Sequence, residues 1–225
     1  MDLVATWPES MDELVAEQLA LAREEPPPWS PSADMLVAGC FVCFQRGKVG
    51  AGARGDRGWA AAAAAGEVAV VDGRAGAPYE AGQLALREGP LLEAAVRALP
   101  NRRPDVVLVD ATGGDHPRGA GLALQLGAVV GVPTIGVTHR ALVATGAWPA
   151  DERAARAPLS LDGQLVGYWL RRRPGTRPLA VHAAWRTSAE TAADVVIGCI
   201  GDLRTPEPLR SARTAARTAR TSAHS

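Results

Sequence analysis

The stretch from 105 to 139 constrains the fold of this chain more than any other. It contains "DVVLVD", then "AGLALQLGAVVG", then "VPTIGVTH". The first and last are short apolar runs of strand length and the middle one has the length and composition of a helix, so the three predict a strand–helix–strand unit with two parallel strands. Both alternating faces of "VVLV" are apolar, which fits a strand covered by helices on either side. In open sheets of this kind ligands bind beyond the carboxyl ends of the parallel strands. Asp110 stands at such an end, ahead of a loop whose glycines, Gly113 and Gly114, permit close backbone approach. A carboxylate there suits a metal ligand or a general base; an Asx turn or a cap accounts for it equally well.

The rest of the chain supplies the neighbours of this unit. "SMDELVAEQLALARE" (10–24) places Leu14, Val15, Leu19 and Leu21 at roughly helical spacing and runs into the proline-rich "EEPPPWSPS". Residues 1–34 are therefore expected to form an N-terminal helix and connector, ahead of a domain over 35–210. "MLVAGCFVCF" (35–44) reads as a buried strand. "WAAAAAAGEVAVVDG" (59–73) favours helix by its alanines and an antiparallel meander by its glycines. "REGPLLEAAVRALP" (87–100) predicts a helix with Pro90 in its first turn and Leu91, Leu92, Ala95, Val96 and Leu99 on one face. A hairpin follows, "GQLVGYWLRRR" and "RPLAVHAAW" around Pro174-Gly175, then a serine-capped helix from Ser188. Residues 211–225 read as a basic, low-complexity tail, its last dozen residues frayed or disordered. The architecture expected is α/β: an antiparallel meander, then parallel strands, flanked by helices.

Composition narrows the partners. With 24 basic and 24 acidic side chains there is no global cationic signature, so any nucleic-acid footprint must be local. Arg171 to Arg173, with Arg204, Arg210, Arg213, Arg217 and Arg220, are candidates for tracking phosphates, against the alternative of an ordinary solvated arginine cluster. Three cysteines in no dense framework, with no apolar run of membrane-spanning length and no basic-then-apolar leader, lead to the expectation of a cytoplasmic protein without a membrane partner. Cys40 and Cys43, with His116, His139 or His182, could form a zinc or thiolate site. On one straight strand their sulfurs would point to opposite faces, which favours simple packing.

Four segments, "PYEAGQLALREGPLLEA", "PDVVLVDATGGDHPRGAGLALQLG", "VPTIGVTHRAL" and "LRTPEPLR", in this order, resemble the endonuclease V family, inosine-directed endonucleases of RNase H-like fold. The resemblance covers roughly residues 36–210. It implies an RNase H-like mixed sheet and cleavage of DNA or RNA near a deaminated adenine, with Mg2+ or Mn2+ held by carboxylates activating water and stabilising the leaving oxygen. Carried over by position, it implies metal-binding and catalytic roles for Glu88 and Asp110 and a catalytic role for His116 of "HPR". Pro78, Tyr79 and Gly82 match the strand-separating "PY..G" wedge.

The departures are as informative. Phe41 stands where the family has a metal-binding aspartate, Trp185 where it has a late histidine, and His139 where it has a lysine, here kept as a catalytic candidate; "ATG" follows Asp110 in place of "GHG". A phenyl ring cannot coordinate magnesium, which takes oxygen ligands. Metal-dependent inosine cleavage is therefore expected to be impaired, with nucleic-acid binding kept. Asp115 is a possible substitute ligand, and Trp185 beside Phe41 would make the former metal cleft apolar. The alternatives are a nuclease rebuilt on Glu88, Asp110 and Asp115, or a repurposed enzyme using Asp110, His116, His139 and Glu88 on a nucleotide-like or other small metabolite, for example in secondary metabolism. A third is a structural or regulatory protein.

Overall fold

A computed structural model describes residues 5–45, 52–100, 102–199, 201 and 203–223. Part of the glycine-rich link (46–51) and the last two residues of the tail lie outside them. Eight strands form one sheet in the order β3-β2-β1-β4-β5-β8-β7-β6. β1 (Val37–Phe44), β2 (Arg57–Ala64) and β3 (Glu67–Arg74) are the antiparallel meander. β4 (Val106–Val109) runs parallel to β1 and to β5 (Thr134–Thr138), with α3 (Leu122–Val130) crossing between β4 and β5. The expected βαβ unit is thus present, closed at its helix end by Gly131 at φ 68°.

The alanine run resolves to β2 because both faces of that strand are covered. Ala60, Ala62 and Ala64 face α2 (Leu84–Arg97), whereas Ala61 and Ala63 face α5 (Glu207–Ser222). Methyl-sized side chains let a helix approach closely on either side, which outweighs alanine's helical preference. Ala65 and Gly66, both at positive φ, close a two-residue hairpin into β3.

Three expectations are corrected. α2 begins at Leu84, so Pro90 is inside the helix and not in its first turn. Proline there removes the amide that would donate to the Leu86 carbonyl; Gly76 packs close by, its N–H donating to the neighbouring Arg87 carbonyl at 3.4 Å, and the Leu86 carbonyl would lie 2.3 Å from any Cβ at that position. The sheet also has β6 (Arg156–Leu161) pairing with β7 (Gln164–Leu170), a strand that the sequence hid behind Pro158, tolerated because β6 is an edge. Beyond β7 comes β8 (Leu179–Ala183), antiparallel to both β7 and β5, then α4 (Ala189–Cys199), capped by the Ser188 hydroxyl as expected.

The third correction is the largest. The segment expected to fray is α5, sixteen residues long and packed on β1 and β2. Its apolar stripe is made of alanines: Ala212 and Ala216 are fully buried against Ala61, Ala63, Cys43 and Trp59, with Ala215 and Ala219 beside them. Gly39 admits the start of the helix, since a Cβ there would lie 2.4 Å from the backbone of Pro208 and Leu209. The N-terminal helix is α1 (Met11–Leu21), capped by Ser10 and packed near α3. Among the described residues no helix is long and apolar enough to cross a membrane.

Candidate functional site

Asp110 follows the last residue of β4. The register pairs Cys40 with Val109, so one step further Phe41 of β1 lies beside Asp110. Val106 and Leu108 face α4 and α5, and Asp110, two residues on, turns the same way. There it meets Arg213 of α5, whose Nη2 donates to Asp110 Oδ2 at 2.8 Å. The same guanidinium lies 5.3 Å from the centre of the Phe41 ring, and Arg217 lies 5.5 Å from it. The pair is largely sheltered, at 20% and 25% side-chain exposure, and the ring beneath excludes water from one side of it.

Glu88 of α2 reaches the same neighbourhood. Burial pushes its carboxyl up to about 7, with Arg87 pulling it down and Asp110 pushing it up. His139, just past β5, is exposed and lowered by partial desolvation and then by Arg204 and Arg213, against Asp110. Glu88, Asp110 and His139 therefore share one electrostatic field. Among the described residues, however, no three His, Cys, Asp or Glu side chains come together as a metal site.

On the other side of Asp110 lies a cavity of about 200 Å3, walled by Leu84, Leu122, His116 and Leu142, with Tyr79 at its mouth. Tyr79 is 64% exposed on a loop whose amide donates to the Gly52 carbonyl; Pro78 beside it is also exposed. Gly82 takes φ +80°, a conformation that favours glycine, and its carbonyl accepts from Arg118 Nη2. His116 is nearly buried, and burial followed by the Arg118 charge pulls its pKa down to about 4. Its Nδ1 accepts the Arg118 amide while its other face meets Gly82, so the neutral ring ties the "HPR" turn to the wedge loop. Arg87 anchors that loop from beneath: it is 3% exposed, donates to the Ala53 and Ala77 carbonyls and pairs with Asp56 at 2.9 Å.

Several sequence candidates fall elsewhere. Trp185 is not beside Phe41: it exchanges hydrogen bonds with Thr134 at the start of β5, far along the strands from Asp110, and packs against Gly127 of α3 on the face opposite α5. Asp115 is fully buried, its oxygens accepting the amides of Leu142, Val143 and Ala144, and is no substitute ligand. His182 is buried between Asp115 and Thr138. Cys40 and Cys43 point to opposite faces as expected, and burial pushes the Cys40 thiol well above its usual range. Arg171 is no phosphate contact: it is buried, donating to the carbonyls of Ala150, Thr176 and Pro149. Arg204 donates to the Pro178 carbonyl. The residue that the sequence left undistinguished among its arginines is Arg213. It lies at the edge of the Ala212 and Ala216 stripe, a placement that becomes readable only once this segment is known to be a helix.

Fold and site together define an α/β protein with a cleft at the carboxyl ends of its parallel strands, the RNase H-like arrangement. The family model for endonuclease V matches residues 30–214, and the chain belongs to that family. It is 42% identical over 135 residues to the endonuclease V of Azotobacter vinelandii, a match covering 60% of this chain and 61% of that protein. The chain thus spans about three fifths of the length of the curated relatives it matches. Its structure is similar to the crystal structure of Streptomyces avermitilis endonuclease V, at a TM-score of 0.84 and 29% identity over 97% of this chain and 96% of that one. It also shares the fold of Ciona intestinalis endonuclease V, solved with a 23mer DNA containing an inosine followed by a ribo-adenosine, at 0.77 and 22% identity over 94% and 97%.

Proposed function

We propose that this chain recognises an altered base in DNA or RNA through the Tyr79 cleft, and that metal-dependent cleavage is impaired in it. The observation that carries the second half is the Asp110–Arg213 ion pair over the Phe41 ring. A magnesium ion requires near-octahedral oxygen ligation and sheds water reluctantly. Here the carboxylate is already neutralised by a guanidinium, its strand neighbour is a hydrocarbon ring, and Asp115 is held by three amides. The residues present do not fit the family's metal, and no cleavage step is assigned to them.

Recognition draws on what remains. The exposed ring of Tyr79 offers a stacking platform, a contact worth about 1–3 kcal/mol per base. The cavity of about 200 Å3 behind it is small against the roughly 300–1,000 Å3 of sites for drug-sized ligands, and suits one ring system better than a whole metabolite. That size is the reason to place nucleic-acid recognition ahead of a repurposed small-molecule enzyme.

The test pairs gel-shift and cleavage assays on deoxyinosine duplex DNA and inosine-containing single-stranded RNA, with Mg2+ and with Mn2+. Wild type is expected to shift inosine ligands without cutting them, and a Phe41→Asp/Arg213→Ala variant is expected to gain metal-dependent cutting. Cutting by wild type that Asp110→Ala abolishes would overturn the impaired-cleavage reading. Absence of any shift, with inosine or its monophosphate raising Tm, would move the function to a small ligand.

A further inference from the structure

One wall of the cleft that Tyr79 also lines is held by a buried carboxylate. Asp115 is fully buried, one residue before His116. Its Oδ2 accepts the Leu142 amide at 2.6 Å, and its Oδ1 accepts those of Val143 and Ala144 at 2.8 and 2.7 Å. Three consecutive amides thus converge on one carboxylate. Hydrogen bonds to an ionised acceptor are roughly twice as strong as neutral ones, so this is a firm attachment for a segment without regular structure. The other end of the segment is fixed as well: the Thr138 hydroxyl donates to the Arg140 carbonyl at 2.6 Å and lies 2.9 Å from His182 Nε2. The His182 ring closes the arrangement, its Nδ1 3.6 Å from Asp115 Oδ2. What the attached segment presents to solvent is apolar. Leu142 is 48% exposed and lines the same cavity as Tyr79 and His116.

We propose that Asp115 is a specificity-setting positioning residue, which fixes the Leu142 wall at a defined distance from Tyr79 and so determines which base the cleft accepts. This rests on the nucleic-acid reading of that cleft. Asp115 touches no ligand itself; it acts through the three amides. A wall that can recede admits bases of different edge and size alike, so loosening it erodes discrimination between inosine and adenosine while contacts to the phosphate backbone stay as they are. His182 serves the same end by filling the space behind the carboxylate and linking it to Thr138.

The experiment compares wild type, Asp115→Asn and Leu142→Ala on two readouts. The first is hydrogen exchange in a peptide covering 141–145, and the second is the ratio of gel-shift affinities for inosine-containing and unmodified strands of the same length. Asp115→Asn keeps the volume of the side chain and removes its charge and one acceptor. It is expected to speed exchange in 141–145 about tenfold or more, with peptides of β4 and α3 unchanged, and to cut the affinity ratio about tenfold with affinity for the unmodified strand held. Leu142→Ala leaves Asp115 and its amides in place, so it should lower the ratio with exchange unchanged, and it keeps the proposal testable if Asp115→Asn fails to fold. Unchanged exchange in Asp115→Asn, or faster exchange with an unaltered ratio, or an unaltered ratio in Leu142→Ala, would overturn the assignment. A wild type that prefers neither strand would overturn the recognition reading and with it the specificity role, while the exchange arm alone still shows whether Asp115 holds the segment.

Discussion

Asp110 separates two regions that are held in place by different means. Toward α2 and α3 the cleft is a set of loops fixed by buried charges: Arg87 grips the carbonyls of Ala53 and Ala77 beneath the Tyr79 loop, and Asp115 grips the amides of Leu142 to Ala144 on the facing wall. Toward α5 there is scarcely any loop. A helix lies flat on the alanines of β2, and its Arg213 seals the carboxylate against Phe41. The first region adds buried polar contacts to its apolar walls, and the second relies on close apolar packing of very small side chains. Because the two share little besides Asp110, the reactive side can change while the side proposed to receive a base stands.

The largest effect expected in either region comes from the buried cation of the first. Arg87→Met leaves the Asp56 carboxylate without its charged partner, the Ala77 carbonyl without the Arg87 donor, and the Ala53 carbonyl with only the Asp56 amide at 3.3 Å. Breaking a buried pair from one side costs about 3–5 kcal/mol, which for a chain of this size lowers Tm by roughly 6–20 °C. Calorimetry checks it. A loss under about 1 kcal/mol would mean that the loops of the cleft do not depend on this charge, and the contrast between the regions would fail.

In the α5 region the matching test is steric. Gly39→Ala sets a Cβ about 2.4 Å from the backbone of Pro208 and Leu209, where neither a strand nor a helix end can yield cheaply. Overpacking of this kind costs about 1–3 kcal/mol. Since α5 carries Arg210, Arg213, Arg217 and Arg220, its displacement is expected to appear as faster trypsin cleavage there, with the cleft's affinity for nucleic acid unaffected. Equal loss of binding would show that the two regions are coupled.

How far these regions were legible in the sequence follows from the same difference. The βαβ unit from Val106 to Thr138 was legible because its apolar runs are long and its connections short. Asp110 could be placed at a strand end for that reason, and Phe41 beside it through the match to the family. α5 was not, since its buried stripe is alanine and its other face arginine, a composition that resembles a solvated tail as long as the alanine face of β2 is unknown. Arg213 therefore stayed one arginine among eight candidates. Trp185 shows the opposite failure. It aligned with a site position, yet its backbone bonds to Thr134 hold it at the other end of the strands, and linear order carries no record of that. Asp115 stands in the right motif, but which of its neighbours it bonds depends on a loop 27 to 29 residues further on.

A third test keeps stability constant and reads the cleft alone. Tyr79 is exposed and contributes little to the core, so Tyr79→Ala should leave Tm within about 1 °C. Loss of one stacking contact worth about 1–3 kcal/mol weakens binding of inosine ligands roughly 5- to 150-fold. Unchanged affinity would remove the stacking role and leave the cavity walls to account for recognition.

The smallest effect is the dependence of stability on pH, in which the border between the two regions and the cleft itself pull in opposite directions. His116 and His182 are buried and held neutral, each with its pKa brought down to about 4, by burial first and, for His116, by Arg118 next. A histidine that the fold keeps below its unfolded value of about 6.5 adds stability above that pH, and the gain is lost as pH falls from 6.5 toward 4. Glu88 behaves in the reverse sense. Its folded pKa of about 7 exceeds the ordinary 4.5, so its contribution is complete below 4.5 and disappears as pH rises through 7. Wild-type Tm should therefore rise with pH through the acid range and level off near neutrality, with Glu88 opposing the rise between about pH 4.5 and 7. Glu88→Gln is expected to remove that opposition, so that its Tm climbs more steeply than wild type between about pH 4.5 and 7 and stays about 2–5 °C above it at higher pH, where the two curves run parallel. A Glu88→Gln curve parallel to wild type between pH 4.5 and 7 would show that the carboxyl is well solvated, and would detach Glu88 from the field of Asp110 and from the boundary that Asp110 marks.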